Sequence, residues 1–311
     1  MLYKVGTRRS KLAKAQAKLV IDKLKDAYPG DEFEIVEIVT TGDRHAELPV
    51  DRIGGKGVFA DEIEKALLDG SIQLAVHSMK DMPEEPEEGL VFADAWKRED
   101  PRDVLILKDA KSLDELKPGA KIATGSKRRA AQLLELRPDL KIVHIRGNVD
   151  TRLRKLYEPA EGEESFDGLV LAAAGLKRIG LEDKITQYLS VDEMVPAPAQ
   201  GMLAVELLAD NSGLIGKLES LSDRESMITL KAEREFLKAA GGDCSLPVGA
   251  YAEIKDGQLK LLCVVGNEDG TKLARAFAVR ELTGTGKGTA DGPVNELTNG
   301  SANDEHTNEL I

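Results

Sequence analysis

Cysteine is nearly absent: Cys244 and Cys263 are the only two in 311 residues. That excludes a disulfide framework and a cysteine-rich zinc site, and it makes a reducing compartment the expectation. Aromatic residues are only 4% of the chain, with a single Trp, so the cores must be built from aliphatic side chains. The four histidines show no metal-ligand spacing of the HxxxH kind, and no metal is expected. No stretch reaches the roughly 20 apolar residues that span a bilayer. The opening MLYKVGTRRSKLAKAQ also lacks the apolar segment of a signal peptide. A cytoplasmic protein without membrane contact is therefore expected. Positive charge is in deficit too, with 43 basic against 55 acidic side chains and a net charge of −12. Nucleic-acid binding by counterion release needs a surplus of clustered cations, so that class is excluded, whereas a local anion site is not.

What the chain does have is a repeating alternation of short apolar runs and amphipathic stretches. Residues 10–28 predict a helix with Ser10 as its N-cap, Pro29-Gly30 as its stop, and Leu12, Ala15, Leu19, Leu24 and Ala27 on the buried face. Strands are expected over 33–39 and 74–76, with a Gly-rich turn (GGKG, 54–57) and a helix over about 58–69 between them. The order βαβαβ predicts a mostly parallel sheet covered by helices. The pattern then recurs with strands over 104–107, 121–123, 141–145 and 169–173. From about residue 221 a charged helix, a Gly-rich turn (GGDCSLPVG) and short strands around Asp256-Gly257 predict a small α+β unit. Residues 282–311 are dominated by Gly, Thr and Asn without apolar periodicity and are expected to be disordered.

Basic residues recur where strands run into helices: Arg8-Arg9, Arg128-Arg129, Arg146 with Arg152, and Lys177-Arg178. A helix N-terminus offers free N–H donors, and a guanidinium adds a planar fork matched to carboxylate or phosphate. Converging on one cleft, such turns would hold a polyanion. Each pair taken alone serves equally well as solvated charge or as an ion pair. His77-Ser78-Met79-Lys80-Asp81 leaves a buried strand, so Asp81 is either a charge-stabilising carboxylate at the sheet edge or a cap of the next turn. His77 has no partner in sequence and is expected to be structural. Cys263 lies in the apolar run LLCVV and is expected in the core, whereas Cys244 sits among Gly, Asp and Ser as an exposable thiol. GGKG lacks the Walker spacing, and no GxGxxG fingerprint follows a strand, so nucleotide use is not expected.

Taken in order, TRRSKLAKAQ, GGKGVF, AVHSMKDMP, ATGSKRRAAQL, RGNVDTRL, LAAAGLKRIGL, VPAPAQGMLAVE and AEREFLKAAGGDCSLPVGAYAE resemble hydroxymethylbilane synthase, also called porphobilinogen deaminase, over about residues 3–280. The resemblance implies two type II periplasmic-binding-protein-like α/β lobes with mixed, mostly parallel sheets plus a small α+β C-terminal domain. On this chain that gives 1–99 with 196–220, then 100–195, then 221–281, with 282–311 atypical. It implies a covalent dipyrromethane cofactor joined by a thioether to Cys244. It also implies a monomeric enzyme that adds four porphobilinogens head to tail, loses ammonia at each step, and releases hydroxymethylbilane by hydrolysis. By match, Lys80, Asp81, Thr124, Ser126, Arg128, Arg129 and Arg146 bind the cofactor. Arg8, Ser10, Lys56, Arg152 and Arg178 bind the substrate or growing chain, and Asp81 is the catalytic carboxylate. The chain departs from the family pattern at Lys11, Ala15, Gly125, Lys127, Ala199 and Asp243, and in its tail. A carboxylate at Asp243 is expected to raise the Cys244 thiol pKa. The alternatives are a non-catalytic two-lobed binder of polycarboxylates and a catalytically impaired relative.

Overall fold

A computed structural model describes residues 1–44, 60–241 and 246–282. Lys56, Cys244, Asp243 and the tail beyond Leu282 lie outside the described residues. The first sheet holds β1 (Leu2–Arg8), β2 (Glu32–Ile38), β3 (Leu74–Ser78), β4 (Leu90–Phe92) and the late strand β10 (Leu203–Leu208) in the order β2-β1-β3-β10-β4. The second holds β5 (Asp103–Leu107), β6 (Lys121–Ala123), β7 (Lys141–Val143), β8 (Gly168–Ala172) and β9 (Gln187–Tyr188) in the order β7-β6-β8-β5-β9. In each sheet one strand runs against the other four: β10 in the first and β5 in the second.

Those two strands are the ones exchanged between the lobes. The chain leaves β4 through residues 93–102 and enters the second sheet as β5. It returns through residues 189–202 and joins the first sheet as β10. The two lobes are therefore α/β units of the same plan, with mixed sheets in which most strands run one way. β5 shows why the run DVLIL is wholly apolar after its first residue. All of it is buried, with Leu105 and Leu107 packing into one core of the lobe and Val104 and Ile106 into the other, as the two-residue period of a covered strand requires.

Helix α1 (Lys11–Ala27) starts where the sequence predicts, with the Ser10 Oγ accepting the Ala13 N–H at 3.1 Å. Its buried face is not the predicted one. Ala13, Gln16, Ala17, Val20, Ile21 and Leu24 meet the sheet, whereas Leu19 is 41% exposed. Of the five predicted residues only Leu24 is buried, because two apolar stripes lie side by side on this helix. The stripe carrying Ala13 and Ala17 lets the backbone approach the sheet. Leu12, on the other stripe, points toward Gly175 in α6 (Ala173–Arg178) of the second lobe, with its Cδ2 3.5 Å from where a Cβ would stand.

The third unit is a three-stranded antiparallel sheet, β11 (Val248–Lys255), β12 (Gln258–Gly266) and β13 (Leu273–Glu281), packed on α8 (Arg224–Ala239). The Asp256-Gly257 turn joins β11 to β12 with both residues at positive φ, 55° and 77°, as a two-residue hairpin turn demands. Strand β13 has no counterpart in the sequence reading. Cys263, on β12, is buried against α8, and burial pushes its thiol up to about 12.

The α1 correction is testable. Leu24→Ala removes a fully buried side chain and is expected to cost about 2–5 kcal/mol, whereas Leu19→Ala should stay within about 0.5 kcal/mol. Denaturant unfolding of both variants checks this, and equal losses would contradict the assigned face.

Candidate active site

Among the described residues, the predicted site residues lie on the turns at the C-terminal ends of strands or in the helices that follow them, where open α/β sheets bind ligands. β3 ends in a short 3-10 turn, Met79–Asp81. The Gln16 Nε2 donates to the Ser78 Oγ at 2.9 Å, and the Met79 N–H donates to the Met202 carbonyl at 3.1 Å. From the third unit, the Arg234 guanidinium donates to the carbonyls of Met82, Pro83 and Glu84. The turn is thus held from both sides while Asp81 itself stays exposed.

In the second lobe, β6 runs through Thr124-Gly125-Ser126 into α4 (Lys127–Leu136). Thr124 is buried, its Oγ1 accepts the Ser126 N–H at 3.2 Å, and the Ser126 Oγ in turn caps the helix at the Arg129 N–H. Gly125, where the chain departs from the family pattern, is tightly enclosed. A Cβ there would stand 2.7 Å from the Ile145 carbonyl oxygen, so two site-bearing turns approach backbone to backbone. β7 leads through Arg146 to α5 (Val149–Tyr157), which carries Arg152. The Arg152 Nε donates to the Gly147 carbonyl at 2.7 Å.

Arg128 and Arg129 both point inward. Both are buried, and the Asp103 carboxylate lies 2.8 Å from one guanidinium and 2.7 Å from the other. Burial alone would raise the Asp103 carboxyl, but the two guanidiniums outweigh it and hold it far below the usual carboxylate range. Further donors go to backbone, from Arg128 to the Val195 carbonyl at 2.6 Å and from Arg129 to the Val170 carbonyl at 3.2 Å.

Around this cluster the remaining charges gather. Lys80 is half-buried and donates to the Gln200 Oε1 at 3.1 Å. Burial lowers its ammonium to about 8, with Asp81 and Asp103 pulling upward and Arg129 and Arg128 downward. Arg152 is lowered to about 10 by burial and then by its neighbours Arg129 and Arg146, with Asp81 opposing. The Arg146 Nη1 is buried with no hydrogen-bond partner among the described residues. A buried guanidinium nitrogen left unpaired costs free energy, so the site holds in reserve a donor suited to an anion. Lys80, Asp81, Arg129, Arg146 and Arg152 are therefore brought together, one exposed carboxylate facing a group of cations.

Other predicted residues are engaged by the protein itself. Arg8 pairs with Asp43, Ser10 caps α1, and the Arg178 Nη2 donates to the Gly201 carbonyl at 2.6 Å. Lys177 takes the ion-pair reading, its Nζ 3.3 Å from Glu99 and 3.7 Å from Asp100. His77 is a buried structural residue, 3.2 Å from a Glu206 carboxylate oxygen on β10. Glu64 nearby is pushed up to about 7 by burial and by Glu206.

Two residues at the centre were not singled out from sequence. Asp103 is the one polar residue at the head of an apolar strand, a signal that marks it as paired but not with what. Gln200 lies within VPAPAQG with no spacing that points to a role. In the structure its Nε2 donates to the Pro101 carbonyl at 2.7 Å and to the Asp103 Oδ1 at 3.0 Å.

Family models extend the picture. Residues 3–215 match "Porphobilinogen deaminase, dipyromethane cofactor binding domain", and residues 227–288 match "Porphobilinogen deaminase, C-terminal domain". The chain is 52% identical over 286 residues to the porphobilinogen deaminase of Lachnospira eligens, covering 92% of this chain and 95% of that one. It is 50% identical over 270 residues to that of Clostridioides difficile, covering 86% and 88%. Among solved structures, the methionine-binding protein MetQ aligns with a TM-score of 0.45 and 15% identity over 75% of this chain and 94% of that one. With both family models in sequence order over most of its length and relatives at half identity, the chain belongs to the porphobilinogen deaminase family.

Proposed function

We propose that the chain is a working hydroxymethylbilane synthase that condenses four porphobilinogens head to tail on a dipyrromethane cofactor and releases the linear product by hydrolysis. The observation that carries this reading is the buried Arg146 Nη1, unpartnered among the described residues, beside Arg152, which itself neighbours Arg129 and Asp81. Every porphobilinogen ring brings an acetate and a propionate, so a cleft for this chemistry needs fixed cations with donors to spare. Such a cleft fits dipyrromethane, which when bound supplies the pyrrole carbon from which the chain is extended.

In this reading Lys80, Thr124, Ser126, Arg128, Arg129 and Arg146 hold the cofactor carboxylates, and Cys244 carries the thioether. Arg128 and Arg129 are already committed to Asp103, so they set the shape and field of the site, while Arg146 and Lys80 offer the more available charge. Arg152, with Arg8, Ser10, Lys56 and Arg178, takes the incoming substrate or the growing chain. Asp81 accepts hydrogen bonds from pyrrole N–H groups and stabilises positive charge that develops on the ring as ammonia departs. Asp81 is exposed, on a turn braced by Gln16 and Arg234. The unit boundaries 1–99 with 196–220, 100–195 and 221–281, a monomeric state and a cytoplasmic location belong to the same proposal. Among the described residues no helix is long and apolar enough to cross a membrane.

Intact mass under denaturing conditions should show an adduct of dipyrromethane size that disappears in Cys244→Ser. An adduct that survives that change would refute the attachment. Asp81→Asn should leave thermal unfolding unchanged and lower turnover of porphobilinogen by about 100-fold or more; near-normal turnover would make Asp81 structural. Arg146→Leu relieves an unpaired donor, so its unfolding midpoint should hold or rise while the cofactor adduct is lost. A destabilised variant that still loads cofactor would contradict that role.

A further inference from the structure

Gln200 is fully buried on the crossing that returns to the first lobe, and it stands between groups from both lobes. Its amide orientation is fixed by its neighbours. Nε2 faces two acceptors, the Pro101 carbonyl and the Asp103 carboxylate, and Oε1 faces the Lys80 ammonium. The backbone is pinned as well, since the Gln200 N–H donates to the Ala197 carbonyl at 2.9 Å and its carbonyl accepts from the Arg98 Nε at 2.8 Å. A carboxylate at this position would face Asp103 across a hydrogen-bond distance, and an apolar side chain would leave Lys80 without its acceptor. A neutral amide of this length satisfies both sides.

We propose that Gln200 is a positioning residue that pins the Lys80 ammonium at the lobe junction, in register with the Asp103–Arg128–Arg129 cluster, so that Lys80 meets a ligand carboxylate as a fixed cation. This rests on the reading of Lys80 as a cleft cation. The groups that act on Lys80 are Asp81 on its own turn, Arg128 and Arg129 on α4, and Asp103 on β5. Gln200 accepts a hydrogen bond from the ammonium and, through Pro101 and Asp103, ties it to the opposite lobe.

The test is the titration of Lys80 by NMR in full-length protein carrying labelled lysine side chains, with the Lys80→Met variant supplying the assignment. Gln200→Met removes the acceptor and should move the Lys80 midpoint down by about one pH unit, whereas Gln200→Glu adds a negative charge and should move it up by a similar amount. Opposite shifts in folded variants support the inference; an unmoved midpoint in both overturns it and leaves Gln200 a spacer. If a variant does not fold, the wild-type protein still decides. The Gln200 side-chain amide resonance must shift with the Lys80 midpoint and lose that titration in Lys80→Met, and a flat amide resonance overturns the inference. Cofactor loading, read by mass in Lys80→Met, is a separate arm. Normal loading there would sink the reading of Lys80 as a cofactor ligand while leaving the Gln200 contact intact.

Discussion

Arg128, Arg129 and Lys80 share a buried junction between two lobes, and like charges there would repel strongly were the Asp103 carboxylate not among them. A pair of unit charges about 4 Å apart is worth about 4 kcal/mol at an effective dielectric near 20. The desolvation penalty is several kcal/mol per ion. The cluster as a whole therefore comes near to break-even, and its value lies in what it fixes. Asp103 opens β5, the strand exchanged into the second lobe, so the anion that neutralises the arginines is delivered by the crossing itself. With that charge in place, Arg146 and Arg152 can gather nearby and keep donors for a ligand.

The same logic extends to the third unit. Glu233 on α8 is fully buried, and its carboxylate accepts from the Arg98 guanidinium at 2.6 Å, the Ala199 N–H at 2.6 Å and the Ala252 N–H at 2.7 Å. Arg98 lies on one crossing and Ala199 on the other, so a single carboxylate clamps both to β11. From Glu233 a hydrogen-bonded path runs through Arg98 and Gln200 to Lys80 on one side and Asp103 on the other. Ala199 adopts φ of 62°, a conformation that Gly takes without cost and Ala does not. The Glu233 contact to its N–H shows what holds it there. This is a position where the sequence departs from its family at the expense of local strain.

Much of this was legible in the residues. The alternation of strand and helix signals gave a recurring α/β pattern, and the recurrence of arginines at strand ends pointed to an anion site, while the two lobes with a cleft between them came from the family resemblance. The buried face of α1 was not legible, since Leu12 and Leu19 repeat at helical spacing as well as Val20 and Leu24 do. Which stripe meets the sheet depends on the alanines that allow close approach. Lys177 and Arg178 carried the same signal as Arg146 yet are engaged with Glu99 and Gly201, because charge pattern does not say which partner arrives from elsewhere in the chain. Asp103 and Gln200 were missed for the same reason: their partners are brought to them only when β5 and β10 change lobes.

If Asp103 makes the cationic cleft possible, chemical unfolding of the wild type and Asp103→Asn across pH must show it. The folded carboxyl is held below its unfolded value of about 4, so its contribution is present above that pH and fades as pH falls below it. At neutral pH the variant should be less stable by about 3–5 kcal/mol, with the gap closing as pH drops below about 4. Equal stabilities at neutral pH, or a gap that does not narrow in acid, would contradict the account.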